Sequence, residues 1–182
     1  VGMSKVAAGS NRLSALNPDI SIQAHDVRLD AANADALVAA YDIILDGTDD
    51  FATRFAVNAA CLGQGRPLVS GALGRWIGQV GVFGVGDGPC YRCLVPEIPP
   101  DAETCQVVGV VGALAGVIGA MMAVEAIKLA TGLSQGLAGQ LLVYDALAAE
   151  TRTLRVPRDP GCPTCGDRPP SHLSLEPSGA YP

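Results

Sequence analysis

The chain has 182 residues, enough for one domain with a sizeable core, and 49% of them are apolar. Only three are Phe and one is Trp, so Ala, Val, Leu and Gly must build that core, a composition typical of closely packed α/β proteins. The formal net charge of −6 argues against a nucleic-acid backbone as partner but leaves a local nucleotide site open.

In chain order, the sequence opens Val1-Gly2-Met3 without a leader and reads as cut rather than initiated. Ser4 to Leu16 reads as a helix, with Val6, Leu13 and Leu16 on one side and Asn17-Pro18 as its stop. Ile20, Ile22 and Ala24 alternate with polar residues, which predicts a short strand. Asp30 can cap a short Ala-rich helix to Ala40. Tyr41 to Leu45 is a mostly apolar run that suits a central parallel strand. A helix from Phe51 to Leu62 follows, and Arg66-Pro67 restarts the chain into a strand at Leu68-Val69-Ser70.

Strand, helix, strand, helix, strand predicts a Rossmann-like, doubly wound α/β sheet. The glycine-rich alternation GRWIGQVGVFGV over 74–85 adds an antiparallel strand, placed at a sheet edge, which makes the sheet mixed. Ligands of such sheets sit beyond the carboxyl ends of the strands, where Asp46, Asp49 and Asp50 fall. A lone Asp there is commonly a helix cap, but three carboxylates in five positions exceed what a cap needs and favour a Mg²⁺ site.

The stretch CYRCLVPEIPPDAETC over 90–105 carries a Cys-x-x-Cys knuckle, a Pro-rich loop and a third cysteine. A second knuckle, Cys162-Pro-Thr-Cys165, lies far downstream. Two such forks can surround one tetrahedral Zn²⁺ with Cys90, Cys93, Cys162 and Cys165. Disulfides fit less well, because the chain shows no leader and is too rich in core residues to need staples. A redox motif is usually a single Cys-x-x-Cys that opens a helix, whereas Arg92 and Pro163 suit tight loops. Cys105 is left over, placed where chemistry can use it.

From Val107 to Val124 eighteen residues pass without a charge, the length of a membrane span. Gly109, Gly112, Gly116 and Gly119 recur at helical spacing and give one smooth face for close packing. Glu125 and Lys128 continue the helix and no aromatic belt flanks it, so a buried helix rather than a membrane contact is expected. Its positive end would favour the Cys105 thiolate, with Glu97, Asp101 and Glu103 opposing. Gln140 to Tyr144 and Thr151 to Val156 then read as a closing hairpin. Residues 168–182, rich in Pro and Ser, read as a flexible tail. No glycine cluster follows a strand and opens a helix, so any nucleotide-binding turn is expected upstream of Val1.

The segments VGMSKV, LDGTDDFATRFAVN, PLVSGA, RWIGQV, PCYRCL, TC, GVIG, VEAIKL, YDA and CPTCG, in that order, resemble the carboxyl-terminal part of MoeB/ThiF/HesA-type enzymes, the bacterial relatives of ubiquitin-activating enzymes. The resemblance covers residues 1–167 as one domain part and implies an ATP-dependent adenylyltransferase. Its substrate would be the terminal Gly-Gly of a ubiquitin-like sulfur carrier of the MoaD or ThiS kind, in molybdopterin or thiamine synthesis. It further implies a cytoplasmic homodimer, with Asp49 holding the Mg²⁺–triphosphate, Lys5 contacting phosphates and Cys105 as the loop cysteine. Arg75 within RWIGQ points to the MoeB-like branch. Asp50 departs from the family's Asn, and Ala113 and Met122 from its Pro and Gln, changes expected to alter packing rather than chemistry. A zinc-stabilised binding or dimerisation module without catalysis is the competing reading.

Overall fold

The computed structural model describes residues 2–99 and 109–167. Cys105 and the tail expected over 168–182 lie outside the described residues. Five strands form one mixed sheet in the order β1-β2-β3-β4-β5: β1 (Ile44–Asp46), β2 (Leu68–Leu73), β3 (Ile77–Phe83), β4 (Gln140–Asp145) and β5 (Glu150–Arg155). Only β1 and β2 run parallel, joined by helix α3 (Phe51–Gly63). The pairs β2–β3, β3–β4 and β4–β5 are antiparallel. The fold is therefore the expected mixed, Rossmann-like sheet, with a single parallel crossover among the described residues.

The period of two along each strand sends neighbouring side chains to opposite faces. Leu68 and Phe83 face the layer of α2 (Ala34–Ala39), α3 and the one-turn α4 (Tyr91–Leu94), packing with Val38, Val57, Cys61 and Tyr91. Val69, Val80 and Val82 face α5 (Gly112–Thr131), against Leu114, Ile118 and Met122. Removing each of these aliphatic side chains from water contributes about 1.5–3 kcal/mol.

The glycine alternation lies at the middle of the sheet, not at its edge. A Cβ on Gly78 would stand 2.4 Å from Cδ1 and Cγ1 of Ile118, and one on Gly71 would stand 2.3 Å from Sδ of Met122. These glycines strip the central strands so that α5 can lie directly on the backbone, one of the uses of glycine inside a strand. Met122 thereby fills the space over Gly71.

Helix α5 begins at Gly112, later than expected, because Gly109 takes φ +70°, which an α-helix cannot include. The expected buried helix is buried along one face only. Leu114, Ile118, Met122 and Glu125 form its buried face, whereas Val124 and Ile127 are half exposed or more. A Cβ on Gly112, Gly116 or Gly119 would meet nothing within 4 Å, so the smooth glycine face is open and the branched side chains make the packing. This helix is long and apolar enough to cross a membrane by composition, yet its inner face is packed on β2 and β3.

Ile20 to Ala24 forms no strand and pairs with none among the described residues, and Ile20 is exposed. Alternation makes a strand only where a neighbour supplies the ladder. Asp30 caps a turn rather than the helix: Ala32 N–H donates to its Oδ1 at 2.8 Å, and α2 starts after Asn33. Helix α1 (Lys5–Leu16) stands as expected, capped by Ser4 Oγ accepting from Ala7 N–H, but none of its residues is buried. The closing hairpin β4–β5 matches its expected place.

Candidate functional site

The turn after β1 is built by the acidic residues. Asp46 closes β1 and is 4% exposed; its Oδ1 accepts from Thr48 N–H at 2.8 Å. Asp50 is the N-cap of α3: its Oδ1 accepts from Thr53 N–H at 2.8 Å and its Oδ2 from Thr53 Oγ1 at 2.5 Å. The Thr53 hydroxyl, then its backbone N–H, hold the Asp50 carboxyl below the usual carboxylate range, with partial burial opposing and Arg28 assisting. So one of the three carboxylates serves as a cap and a second as a turn former, which leaves Asp49 as the exposed acid of the loop.

Asp49 sits on the wall shared by two cavities. The larger, about 1070 Å³, is also lined by Lys5, His25, Arg28, Asp46 and Thr48. The smaller, about 350 Å³, is bounded by Phe51, Arg54, Gly71, Tyr91, Gly119 and Met122. Lys5 thus reaches the same cavity as the acidic loop, although its helix contributes nothing to the core. Asp46 Oδ2 and Thr48 Oγ1 are buried without a hydrogen-bond partner among the described residues. Orphaned oxygens beside an exposed carboxylate are the donor set of a hard cation, so the loop fits Mg²⁺ held with phosphate.

Behind this loop lies Arg54, 6% exposed on the inner face of α3. Its Nη1 donates to Ser70 Oγ at 3.2 Å and its Nη2 to Gly71 O at 2.8 Å; Nη2 also donates to Thr48 O. The guanidinium lies over the Tyr91 ring, 5.8 Å from its centroid. Tyr91 is further held by Phe83 edge-on at 5.6 Å, and its N–H donates to the buried Asn58 Oδ1 at 2.7 Å. Burial pushes the Tyr91 phenol up, against the opposing charge of Arg54. Arg54 lies within the segment LDGTDDFATRFAVN, which by itself gives it no task. The available signal was its helical spacing with Val57, Asn58 and Cys61, all buried on one face of α3.

The knuckles meet although 72 positions separate their paired members. Cys90 Sγ and Cys162 Sγ lie 3.6 Å apart, Cys93 Sγ and Cys165 Sγ 3.3 Å apart, and all four sulfurs fall within 4.8 Å of one another. A tetrahedral metal with bonds of about 2.3 Å needs sulfurs roughly 3.8 Å apart, which this cluster matches. Asp159 N–H points at Cys93 Sγ at 3.4 Å and Thr164 N–H at Cys162 Sγ at 3.5 Å, as thiolate ligands require. The first knuckle does open a one-turn helix, with Cys90 at the N-cap of α4. The case for a metal therefore rests on the arrival of the second pair, not on loop shape.

A mixed sheet with an acidic loop at the carboxyl end of its parallel strand, backed by a four-thiol cluster, defines the class. The chain belongs to the ThiF family, whose model matches residues 1–164. It is 46% identical over 176 residues to a sulfur carrier protein adenylyltransferase of Thermus thermophilus, covering 93% of this chain and 65% of the relative. It is 42% identical over 167 residues to the molybdopterin-synthase adenylyltransferase of Escherichia coli, covering 91% and 67%. With the adenylyltransferase and sulfurtransferase MOCS3 of Dictyostelium discoideum the figures are 41% over 173 residues, covering 92% and 40%. The chain thus spans two-fifths to two-thirds of the length of these relatives. The crystal structure of E. coli MccB shares the fold, with a TM-score of 0.76 at 19% identity over all of this chain and 54% of that one.

Proposed function

We propose that this chain is the carboxyl-terminal part of an ATP-dependent adenylyltransferase acting on the terminal glycine of a ubiquitin-like sulfur carrier of the MoaD or ThiS type. The observation that carries this reading is the Asp46–Asp50 loop, with its orphaned oxygens and exposed Asp49 between two cavities. The names of the relatives supply the substrate class. In the reaction a carrier carboxylate oxygen bonds to the α-phosphorus of ATP. The bond from that phosphorus to the bridging oxygen breaks, and pyrophosphate leaves with its electron pair.

No protein nucleophile is needed, so the protein works by position and charge. Asp49 and Asp46 would hold Mg²⁺, which supplies neutralisation of the triphosphate when bound. Lys5 would pair with phosphate oxygens from the far side of the larger cavity. Cys90, Cys93, Cys162 and Cys165 would hold Zn²⁺ as a cross-link that takes no part in the transfer. Cys105 is assigned the family's loop-cysteine role, as a thioester or persulfide carrier. A homodimer in the cytoplasm belongs to the same reading, and so does a nucleotide-binding turn contributed by residues outside this chain.

The test is to incubate the native polypeptide containing this chain with ATP, Mg²⁺ and carrier, and to measure pyrophosphate release. Release that requires the carrier's terminal Gly-Gly is expected. Zinc binding and folding without any carrier-dependent release would instead favour a binding or dimerisation module.

A further inference from the structure

Arg54 is a buried cation held by neutral groups. None of the ion pairs Arg66–Asp42, Lys128–Glu125 and Arg158–Asp167 involves Arg54. Its acceptors include the Ser70 hydroxyl and the Thr48 and Gly71 carbonyls, its Cζ lies over the Tyr91 ring 5.8 Å from the centroid, and the Tyr91 phenol also meets it. The buried Asp46 carboxylate lies nearby but makes no direct ion pair with it; a buried charge without a direct partner is costly, and an apolar side chain of similar size would commonly serve stability as well or better. The geometry achieves something else. One planar fork joins three segments distant in sequence: the turn after β1, the middle of β2 and the first cysteine knuckle.

The fork also fixes the peptide next to the exposed acid. The Thr48 carbonyl belongs to the Thr48–Asp49 peptide, so the bond from Arg54 sets the plane from which the Asp49 side chain departs. The opposite side of that turn is held by Asp46 Oδ1 on Thr48 N–H. Tyr91 keeps the guanidinium plane from tilting. Tyr91 itself is fixed by Asn58 and by its neighbour Cys90, one of the four clustered thiols.

We propose that Arg54 is a positioning residue that sets the orientation of Asp49, and that Tyr91 ties this setting to the first cysteine knuckle. The consequence for catalysis rests on the reading of Asp49 given above; the mechanical link does not. The acidic loop and the four-thiol cluster then behave as one unit through Thr48, Arg54, Tyr91 and Cys90. A lysine cannot replace Arg54, because Nη2 serves Thr48 O and Gly71 O while Nη1 reaches Ser70 Oγ, and a single ammonium gives up the second arm of that fork.

The experiment is hydrogen exchange on the native polypeptide, comparing peptides that cover 46–50 with peptides that cover the centre of β3. Arg54→Lys is expected to speed exchange of the Thr48 amide, which Asp46 Oδ1 holds across the same turn, about tenfold or more, because the turn is no longer braced by the charge-assisted hydrogen bond at Thr48 O. The β3 amides should keep their protection. Tyr91→Leu should have the same local effect, because it removes both the ring and the phenol oxygen that meet Arg54. In parallel, Arg54→Lys should raise the KM for Mg·ATP more than the KM for the carrier. Unchanged exchange at Thr48 in Arg54→Lys overturns the proposal. So does equal loosening of β3, which would make Arg54 a general structural residue. Local loosening with undisturbed Mg·ATP kinetics would leave the mechanical link standing and count against the reading of Asp49.

Discussion

Gly78→Ala isolates the close approach of α5 to the sheet. Two effects oppose each other. Replacing a strand glycine by alanine gains about 0.5–1 kcal/mol by restricting the unfolded chain. The new Cβ, however, would stand 2.4 Å from both Cγ1 and Cδ1 of Ile118 and 3.4 Å from Leu114 Cδ1. Cγ1 is close to the helix backbone and cannot swing away as a chain end can, so Ile118 must change rotamer or α5 must lift. Overpacking of this kind costs about 1–3 kcal/mol, and the clash outweighs the entropy gain. The net expectation is a loss of about 1–2 kcal/mol, measured as a lower urea midpoint with unchanged slope.

Ile118→Ala alone should cost about 2–5 kcal/mol, but the double variant should cost clearly less than the sum, because the cavity left by one receives the methyl of the other. A Gly78→Ala protein as stable as the parent, or strict additivity in the double variant, would refute the reasoning that these glycines exist to admit the helix.

Four further outcomes follow from the same geometry. Cys93→Ser should reduce bound zinc from about one equivalent per chain to a small fraction by elemental analysis, since a Cys₄ site loses one of its thiolates; full retention of zinc would remove Cys93 from the site. Burial, with Asp46 adding to it, pushes the Cys61 thiol up to about 12, so its contribution to stability is intact below the ordinary value of 9.0 and is lost as pH rises from there toward 12. Stability measured over that interval should fall less steeply in Cys61→Ala. For the same reason Cys61 should resist brief iodoacetamide treatment at neutral pH, with Cys105 labelled first by peptide mapping. Glu125→Ala should release the loop before β4, because its carboxylate accepts from Leu137 N–H at 2.8 Å and from Lys128 Nζ at 2.6 Å; exchange of the Leu137 amide would report it.

Helices α1 and α3 were legible in the sequence because caps and stops are local chemistry. Ser4 and Asp50 carry the side-chain oxygens that cap them, and an Asn-Pro pair follows Leu16. The four thiols were legible for a similar reason, since spacing within each knuckle already restricts what the sulfurs can do. What failed depends on distant partners. The place of β3 at the centre of the sheet is decided by β4, more than fifty residues downstream, and by α5 covering its glycines. The division of labour among Asp46, Asp49 and Asp50 could not be read from their clustering, because it is set by which backbone amides each carboxylate meets. Arg54 was legible as part of a motif but not as a clamp, since its acceptors on β2 arrive only with the fold. The start of α5 was displaced by one left-handed glycine, which composition alone does not reveal.

We propose that Asp49, and not its neighbour Asp50, holds the metal–triphosphate. Carrier-dependent ATP–pyrophosphate exchange by the native polypeptide should fall at least about a hundredfold in Asp49→Asn, the scale of losing a group aimed at developing charge. It should survive in Asp50→Asn, because Asn caps a helix nearly as well as Asp. Exchange that persists in Asp49→Asn, or that collapses in Asp50→Asn with the fold intact, would contradict the account.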